Sequence, residues 1–232
     1  MESLNTAIIT AAGSGTRMAS AIKKQFIELA GIPILIRTLE RFFASAWISN
    51  LIITAPEEDL EYTKALIEEY FGQEEKPWIV IPGGSQRQDS IFGALQLCPE
   101  ETNLVFIHDA VRPFVSLDLI AELGQQAVSQ KAVIPVARIK HTVKSIQGNH
   151  IENTIPRERL VHVFTPQVFD FELITHAYEK AYEDGFEGTD DASLVEHLGH
   201  PVGYLYGSDL NIKITDEDDL FLASQIIKHS MI

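Results

Sequence analysis

The chain has 232 residues, of which 33 are acidic and 18 are lysine or arginine, so its formal net charge at pH 7 is −15. This acidic balance disfavours nonspecific binding to nucleic acid or to an acidic membrane surface. Hydrophobic residues make up 45% of the chain, yet no apolar run approaches the roughly 20 residues of a membrane-spanning helix. We therefore expect one globular domain, residues 1–232, with neither nucleic acid nor membrane as a partner.

The N-terminal segment and the cysteine content indicate where the protein works. The segment "MESLNTAIITAAG" has neither the basic start nor the long apolar stretch of a secretory signal. The one cysteine, Cys98, excludes an internal disulfide and fits a reducing compartment. We predict a cytoplasmic protein in which Cys98 is a packing residue rather than a nucleophile.

Apolar, β-rich runs alternate with helical patterns along the chain. Short apolar strands that are separated by helices are typical of a mainly parallel α/β sheet with right-handed crossovers. A last helix is predicted near the C-terminus, with Thr215 or Asp216 as its cap. The other predicted strands are 6–12, 50–55, 77–84, 103–110 and 131–139, and the other predicted helices are 33–45, 57–71, 87–98 and 116–130.

One segment interrupts this alternation. Within residues 140–169, "TVKSI", "QGNH" and "IENTI" predict two short strands joined by a turn. A hairpin inserted in an α/β chain is often an arm outside the main sheet, and such arms commonly pair with a second subunit. We therefore predict a projecting β-arm at about residues 139–157 and a homodimer formed through it.

The loop after the first predicted strand reads "AAGSGTRM". Glycines let the backbone approach a phosphate and leave its N–H groups free to donate. A dinucleotide fingerprint would need glycine or alanine where Met18 stands, and the P-loop spacing is missing. Two interpretations stay open: a loop around a nucleoside triphosphate, with Arg17 and Lys24 supplying positive charge, or a plain turn followed by a solvated charged segment.

Three further polar loops follow predicted strands, and the functional sites of open parallel sheets lie at such strand ends. "GGSQRQDS" suits recognition of a base edge, with Arg87 near a phosphate or base, or is an ordinary helix cap. In "HDAVRPF", Asp109 is either a Mg²⁺ ligand or a turn residue. Lys213, in the strand-like run "NIKIT", is either aimed at a phosphate or blocks association of an edge strand. Because no zinc or nucleophile motif is present, we expect chemistry by positioning and charge, as in nucleotidyl transfer.

Taken together, these loops resemble the 2-C-methyl-D-erythritol 4-phosphate cytidylyltransferases of the non-mevalonate isoprenoid pathway. The matching segments span residues 8 to 220 in family order: "AAGSGTRM" with "KKQF", "GGSQRQDSI", "HDAVRPF", "TVK", "FTPQ", "TDDAS" and "NIKITDEDDL". The resemblance implies a Rossmann-like nucleotidyltransferase domain with a mainly parallel mixed sheet, a projecting β-arm and a homodimer built on that arm. It also implies cytidylyl transfer from CTP to methylerythritol 4-phosphate, giving 4-diphosphocytidyl-2-C-methyl-D-erythritol and pyrophosphate, with Mg²⁺ or another divalent cation.

The resemblance also implies roles for individual residues, which fall into a catalytic, a CTP-binding and a substrate-binding set. The metal would be held by Asp109 or otherwise through the CTP phosphates, and the arm residues would act in the neighbouring subunit's site. The catalytic set is Arg17, Lys24, Arg157 and Lys213. The CTP-binding set is Ala11, Ala12, Gly13, Ser14, Gly15, Thr16, Arg17, Lys24, Gly84, Ser85, Arg87, Ser90, Asp109, Ala110 and Lys213. The substrate-binding set is Asp109, Arg112, Thr142, Arg157, Thr165 and Thr189.

Three positions depart from the family pattern. Lys23 stands where the family often has proline, so Lys24 is expected to keep the key place and Lys23 to be only solvated. His141 replaces an aspartate before the arm threonine, and Phe164 replaces a glutamine before Thr-Pro-Gln. Because the last two fall on the substrate side, a ribitol-5-phosphate cytidylyltransferase is the alternative enzyme. The alternative of another class is a regulatory nucleotide-binding protein with a degenerate site, which the intact cationic residues argue against.

Overall fold

The computed structural model describes residues 4–13 and 23–229, and its described strands and helices alternate as the sequence pattern predicts. Short 3₁₀ helices lie at Lys24–Phe26, Glu57–Asp59 and Arg157–Arg159. In chain order the strands and α-helices are β1 (Leu4–Thr10), β2 (Glu28–Leu29), β3 (Ile32–Pro33), α1 (Ile34–Ala44), β4 (Asn50–Ala55), α2 (Leu60–Phe71), β5 (Trp78–Pro82), α3 (Arg87–Leu95), β6 (Thr102–Asp109), α4 (Leu117–Gln130), β7 (Ala132–Arg138), β8 (Val143–Gln147), β9 (His150–Ile155), β10 (Val161–Val163), β11 (Gln167–Asp170), α5 (Phe171–Asp184), α6 (Asp191–His197), β12 (Gly203–Tyr206) and α7 (Glu217–Lys228).

The main sheet has eight described strands in the order β12–β7–β11–β6–β1–β4–β5, and β10 pairs with β7 beside β11. Strands β5, β4, β1 and β6 run parallel, with Ile8 of β1 opposite both Ile52 and Ile107. The chain first builds outward from β1 through β4 to β5 and then returns to place β6 on the other side of β1. This reversal is a topological switch point, where such sheets form a ligand crevice at the carboxyl ends of the strands.

Helices cover both faces of the sheet because its strands are apolar on both sides. Ile9 packs in the core beneath α1, α2 and α4, whereas its neighbour Ile8 packs in the core beneath α3, α5 and α6. In α1, the fully buried Leu35, Leu39 and Phe42 recur at helical spacing and form the face that meets the sheet. The α/β class and the predicted mainly parallel sheet are confirmed.

Two parts of the sheet region differ from the prediction. Strands β10, β11 and β12 were not predicted; β11 runs antiparallel between β6 and β7 and makes the sheet mixed. The strand-like interpretation of "NIKIT" is wrong, because residues 211–215 have no regular secondary structure. They are held instead by single bonds: the Ile214 amide donates to the Val111 carbonyl (2.9 Å), and the Asn211 side chain donates to the Thr165 carbonyl (2.8 Å).

Helix α7 closes the end of the fold beside that irregular segment. The Asp216 side chain accepts a hydrogen bond from the Asp219 amide (2.9 Å), which confirms Asp216 as the cap. The buried face of α7, with Ala223 and Ile226, packs with Ile214 in a third apolar cluster. No helix within residues 4–13 and 23–229 is long and apolar enough to cross a membrane.

The two predicted arm strands are present as β8 and β9. They form a separate two-stranded antiparallel sheet, with Val143 opposite Ile155. Two apolar side chains on this arm, Ile146 and Ile151, are 72% and 61% exposed. The arm therefore presents an uncovered apolar surface within the single chain.

Candidate active site

A cleft of about 320 Å³ lies at the switch point, at the carboxyl end of the parallel strands. The loops after β1, β5 and β6 meet there, together with two lysines from elsewhere in the chain. All of the predicted CTP-binding residues that the structure describes are among its lining residues. The lining is Thr10, Ala11, Ala12, Gly13, Lys24, Gln25, Thr54, Gly84, Ser85, Gln86, Arg87, Ser90, Asp109, Ala110, Val111 and Lys213.

Lys24 reaches the cleft from the start of a 3₁₀ helix that is fixed at two points. The buried Gln25 side chain donates to the Ala11 carbonyl (2.8 Å), which ties the helix to the end of β1. The Phe26 ring meets the Tyr62 ring edge-on, with centroids 5.0 Å apart, which ties it to α2. The other predicted residues of this wall, Ser14, Gly15, Thr16 and Arg17, lie outside the described residues, so their roles stay predictions.

Lys23 is not the solvated side chain that was predicted. Its ammonium forms ion pairs with Glu58 and with Asp59 (2.6 Å), both in the 3₁₀ helix that precedes α2. Because all three residues of that 3₁₀ helix are acidic, Lys23 meets a concentration of negative charge there. Lys23 therefore joins the segment that carries Lys24 to the neighbouring element.

The second wall is the loop after β5, and it touches the first wall directly. A Cβ atom added to Gly83 would lie 2.2 Å from the Ala12 Cβ, and one added to Gly84 would lie 2.2 Å from the Asp89 Cβ. Real Cβ atoms do not approach so closely, so glycine is required at both positions. Gly83 thus lets the β1 and β5 loops meet in a continuous wall, and Gly84 lets the β5 loop pack against the first turn of α3.

Hydrogen bonds within the second wall fix its shape. The buried Ser90 hydroxyl donates to the Gln86 carbonyl (3.0 Å) and accepts from the Gly84 amide (2.9 Å). Asp89 accepts from the Gln86 amide (3.0 Å) and from the Ser85 hydroxyl (2.5 Å). Ser90 therefore shapes the loop, and its predicted contact with cytosine remains a prediction.

Asp109 stands at the centre of a cluster of three cations. Its Oδ2 atom is 2.9 Å from Arg112 Nε and 3.1 Å from Lys213 Nζ, and its Oδ1 atom is 3.6 Å from Arg87 Nε. Burial opposes ionisation of this carboxyl group, but the three cations outweigh it and hold the pKa of Asp109 well below its usual range. Asp109 is thus a fixed anion that holds Lys213 at the cleft.

Arg87 lines the cleft, but most of its guanidinium is occupied elsewhere. Its two terminal nitrogens donate to the two carboxylate oxygens of Asp191 at 2.9 and 2.8 Å. Asp191 is completely buried and also accepts from the Tyr178 hydroxyl (2.6 Å). The sequence interpretation missed Asp191 and Tyr178; "TDDAS" was noted as a matching segment, but only its Thr189 was given a role.

Arg112, predicted to bind substrate, is buried and acts within the protein. Besides its bond to Asp109, its guanidinium donates to the Asn211 carbonyl (3.0 Å), which fixes the segment that carries Lys213. Its charged group also lies over the Phe164 ring, 5.4 Å from the centroid. The aromatic residue at 164, a departure from the family pattern, therefore makes a cation–π contact with a residue that holds Asp109.

His108 and Thr165 support Asp109 from below. His108 Nε2 is 3.1 Å from the Arg112 carbonyl, which can only accept, so this nitrogen carries the proton. His108 Nδ1 then accepts from the Thr165 hydroxyl (2.9 Å), whose oxygen accepts from the Asp109 amide (3.1 Å). Burial lowers the pKa of His108 to about 4, so the ring is neutral at physiological pH. Thr165, which was predicted to bind substrate, is buried and links His108 to the Asp109 amide instead.

Besides the buried Arg112 and Thr165, three further predicted substrate residues do not line the cleft of their own chain. Thr142 is exposed at the base of the arm, and Arg157 follows the arm and donates to the Lys140 carbonyl (2.6 Å). Thr189 lines a separate cavity of about 50 Å³ on the far side of Arg87. The single chain therefore assembles the nucleotide side of the predicted site but not the arm residues.

The described residues do not fit a metal site made by protein alone. They contain no cluster of three or more histidine, cysteine, aspartate or glutamate side chains that could hold a metal ion. Among them, the one carboxylate that lines the cleft is Asp109, and both of its oxygens already face cations. A metal on Asp109 would stand beside three positive charges, so the alternative, a metal carried by the substrate phosphates, fits this cleft better.

Comparisons with known proteins identify the family of the chain. The family model of 2-C-methyl-D-erythritol 4-phosphate cytidylyltransferase (IspD) matches residues 5–229. The enzyme of that name from Halalkalibacterium halodurans is 41% identical over 220 residues, which are 95% of each chain. The one from Geobacillus thermodenitrificans is 41% identical over 95% of this chain and 96% of its own.

Solved structures give the same result. The 4-diphosphocytidyl-2C-methyl-D-erythritol synthase of Anaerococcus prevotii superposes with a TM-score of 0.86 at 32% identity, and the match covers 97% of this chain and 98% of the other. The 2-C-methyl-D-erythritol 4-phosphate cytidylyltransferase of Thermus thermophilus gives a TM-score of 0.78 at 29% identity, over 95% and 98% of the two chains. The chain belongs to the 2-C-methyl-D-erythritol 4-phosphate cytidylyltransferase family, the IspD nucleotidyltransferases of the non-mevalonate isoprenoid pathway.

Proposed function

We propose a separate role for each group of cleft residues in the cytidylyl transfer that membership of this family assigns to the chain. CTP and methylerythritol 4-phosphate are its substrates. The observation that carries the proposal is the meeting of Lys24 and Lys213, from segments far apart in sequence, in one glycine-walled cleft at the switch point. Two cations at the mouth of a nucleotide-binding fold suit a triphosphate whose charge shifts during transfer.

The reaction needs no covalent enzyme intermediate. A phosphate oxygen of methylerythritol 4-phosphate attacks the α-phosphorus of CTP in line, the new P–O bond forms, and the bond to the leaving pyrophosphate breaks. Charge grows on the α-phosphate oxygens and on the pyrophosphate, so cations already in place stabilise the transition state more than the ground state. In this scheme Lys213 contacts the α-phosphate, while Lys24 and Arg17 neutralise the leaving pyrophosphate.

The walls of the cleft bind the remainder of CTP. Backbone N–H groups of residues 11–17 wrap the triphosphate, and the loop of Gly84, Ser85 and Ser90 reads the cytosine edge. The contact between the two walls supports this, because it places the proposed phosphate and base loops side by side. Mg²⁺, or another divalent cation, enters with CTP on its phosphates and adds further charge neutralisation. The protein's own task is to orient the triphosphate between the lysines.

The arm completes the substrate side in a homodimer. Thr142 and Arg157 lie away from the cleft of their own chain, and the arm carries exposed apolar residues, which supports pairing with a second copy. In the dimer, Arg157 would hold the phosphate of methylerythritol 4-phosphate in the neighbouring cleft, since its planar fork suits a phosphate dianion. We further propose one nucleotidyltransferase domain with an arm insertion at about 139–157, working in the cytoplasm.

The test is a pyrophosphate-release assay of CTP with methylerythritol 4-phosphate and with ribitol 5-phosphate, run side by side. We expect methylerythritol 4-phosphate to be preferred by about 100-fold or more in kcat/KM, because a site built around one polyol's hydroxyls rejects another strongly. A preference for ribitol 5-phosphate would make the chain the alternative enzyme. Tight CTP binding with no pyrophosphate from either alcohol would indicate the regulatory protein instead.

A further inference from the structure

A buried aspartate–tyrosine pair lies behind the cleft and does not line it, so neither residue touches the reacting groups of the proposed transfer. Asp191 is completely buried and Tyr178 is 1% exposed, and the tyrosine hydroxyl donates to Asp191 Oδ1 at 2.6 Å. Burial raises the pKa of Tyr178 well above its usual value, so this hydroxyl stays a donor. A buried carboxylate is expensive unless a cation and hydrogen bonds compensate it, and here the cation is Arg87 of the cleft.

The geometry of that ion pair restricts Arg87. Both oxygens of Asp191 accept from the two terminal nitrogens of Arg87, at 2.9 and 2.8 Å. A two-point contact between planar groups fixes the orientation of the guanidinium as well as its position. The remaining nitrogen, Nε, faces Asp109 Oδ1 at the longer distance of 3.6 Å. Asp191 thus determines which edge of Arg87 is presented to Asp109.

The other oxygen of Asp109 faces two different cations. Oδ2 is shared by Arg112 Nε at 2.9 Å and Lys213 Nζ at 3.1 Å. If Arg87 were released from Asp191, its two terminal nitrogens would be able to turn to Asp109, the next carboxylate, in a two-point contact of their own. Such a contact would displace Lys213 from Oδ2, because a carboxylate with a bidentate arginine has fewer acceptor positions left.

The balance of charges in the cluster around Asp109 also favours Lys213 as the cation that meets a ligand. Three cations (Arg87, Arg112 and Lys213) face two anions (Asp109 and Asp191), which leaves one positive charge in excess. The Lys213 side chain is 38% exposed and that of Arg112 is 11% exposed, so Lys213 is the better placed to offer that charge to a ligand. Without the negative charge of Asp191, a second excess cation would compete for the same phosphates.

We propose that Asp191, held by Tyr178, is a positioning residue of the transfer reaction: by orienting Arg87 it reserves Oδ2 of Asp109 for Lys213 and so fixes the Lys213 ammonium at the α-phosphate. The inference rests on the proposed contact of Lys213 with that phosphate. It extends control of the cleft to α5 and α6, which carry Tyr178 and Asp191. The competing explanation is that the Asp191–Arg87 pair only joins α3 to α6 and acts on stability.

A double-mutant cycle in kcat separates the two explanations. Asp191→Asn keeps the shape of the side chain and removes its charge, and we expect kcat to fall about 10-fold while KM for CTP changes less than about 3-fold. In a protein that already carries Lys213→Met, the same substitution should lower kcat by less than about 2-fold, because there is no ammonium left to position. An equal loss of kcat with and without Lys213→Met would overturn the inference, and so would an unchanged kcat in Asp191→Asn.

Matched variants control for stability and for folding. Val195→Ala, in the same helix α6, lowers the free energy of unfolding at a buried residue that does not line the small cavity beside Arg87, so its effect on kcat should be small and independent of Lys213. Tyr178→Phe removes one hydrogen bond but no charge and should lower kcat by about 2- to 3-fold. If Asp191→Asn does not fold, Arg87→Lys replaces it, because lysine keeps the charge but loses the two-point contact; the same 10-fold loss and the same dependence on Lys213 are expected.

The single variant Lys213→Met distinguishes an error in the role of Asp191 from an error in the role of Lys213. A large loss of kcat with Lys213→Met but an additive cycle overturns the role of Asp191 alone. An unchanged kcat with Lys213→Met removes Lys213 from the chemistry and overturns both proposals together.

Discussion

In the cleft, Asp109 contacts three cations and Arg87 contacts two carboxylates, all buried or half-buried. Just after the arm, by contrast, Arg157 donates to one main-chain carbonyl and lies 3.7 Å from the exposed Glu158, with solvent around it. The cleft charges are therefore fixed before any substrate arrives, whereas the arm charges keep the freedom to meet a substrate or a second subunit. Preorganisation of this kind favours catalysis in the cleft, and freedom suits recognition by the arm.

The largest expected effect comes from removing a cation on the nucleotide side of the cleft. Lys24→Ala should lower kcat by on the order of 10²-fold or more, with a smaller effect on CTP affinity, because Lys24 meets charge that develops during transfer. Steady-state kinetics together with CTP titration measure both quantities. Lys64→Ala is the matched control, since Lys64 is a lysine of α2 that pairs with Glu61 and does not line the cleft. Unchanged turnover would remove Lys24 from the chemistry.

The second prediction sharpens the arm side of the comparison. Arg157→Ala should inactivate the enzyme about as strongly as Lys24→Ala, yet an equal mixture of the two subunits should regain about one quarter of wild-type activity. In a mixed dimer one of the two sites combines an intact cleft with an intact arm, and mixed dimers are half of the total. The measurement is pyrophosphate release after the two variants are mixed under conditions that exchange subunits. If activity stays at the level of the separate variants, the arm does not act in the neighbouring cleft.

The third prediction concerns the neutral histidine beneath the cleft. Burial lowers the pKa of His108 to about 4 from its ordinary 6.5. Between these two pH values the unfolded chain therefore binds a proton at His108 that the folded protein does not. The contribution of the neutral His108 ring to the free energy of unfolding, about 3 kcal/mol in total, is complete above pH 6.5 and is lost as the pH falls through 4. Denaturant unfolding at several pH values measures it. In His108→Asn, which keeps an acceptor for Thr165, the dependence across this window should be flatter by that amount; an equally steep dependence would contradict the prediction.

A smaller effect is expected where the two walls of the cleft touch. Gly83→Ala would place a Cβ 2.2 Å from the Ala12 Cβ, so the β1 and β5 loops must separate, and we expect kcat/KM for CTP to fall about 10-fold. Gly93→Ala, in helix α3, meets open space and should leave kcat/KM unchanged while stabilising the helix slightly. Equal kinetics for the two variants would show that contact between the walls does not matter for CTP.

The smallest effect is expected for Lys23. Its ion pairs with Glu58 and Asp59 are at the surface, and such pairs contribute at most about 1 kcal/mol, so Lys23→Ala should lower kcat less than about 3-fold. High salt should remove even that difference, because salt screens exposed charges. Lys23→Pro should be tolerated, since φ at this residue is −62°, within the range of proline. A loss as large as that of Lys24→Ala would mean that Lys23 itself meets substrate.

The sequence was most informative where a polar residue directly follows a buried strand. Asp109 comes at the end of β6, and the carboxyl ends of parallel strands meet at one edge, so its place in the cleft was predictable. Lys213 was found through its motif, but the strand predicted around it is absent. An alternating apolar run has the same pattern whether it pairs in a sheet or is held by single hydrogen bonds. The role of Lys23 was missed for a related reason: its partners lie 35 and 36 residues away.

Asp191 shows where the limit of sequence reasoning lies. It is 104 residues from Arg87, and no periodicity in "TDDAS" tells a buried aspartate from a solvated one. The antiparallel strand β11, four residues long, is equally hard to predict, because a short apolar run carries little pattern and its two neighbours come earlier in the chain.

Helix α7 has a consequence for the extent of the enzyme along the chain. The last cleft residue among those described is Lys213, yet the apolar neighbour that anchors its segment, Ile214, packs on Ala223 and Ile226 of α7. A chain shortened to residue 216 would keep every cleft residue in its sequence and lose the surface against which that segment rests. The functional boundary of the enzyme is therefore set by packing, about one helix beyond its last active-site side chain.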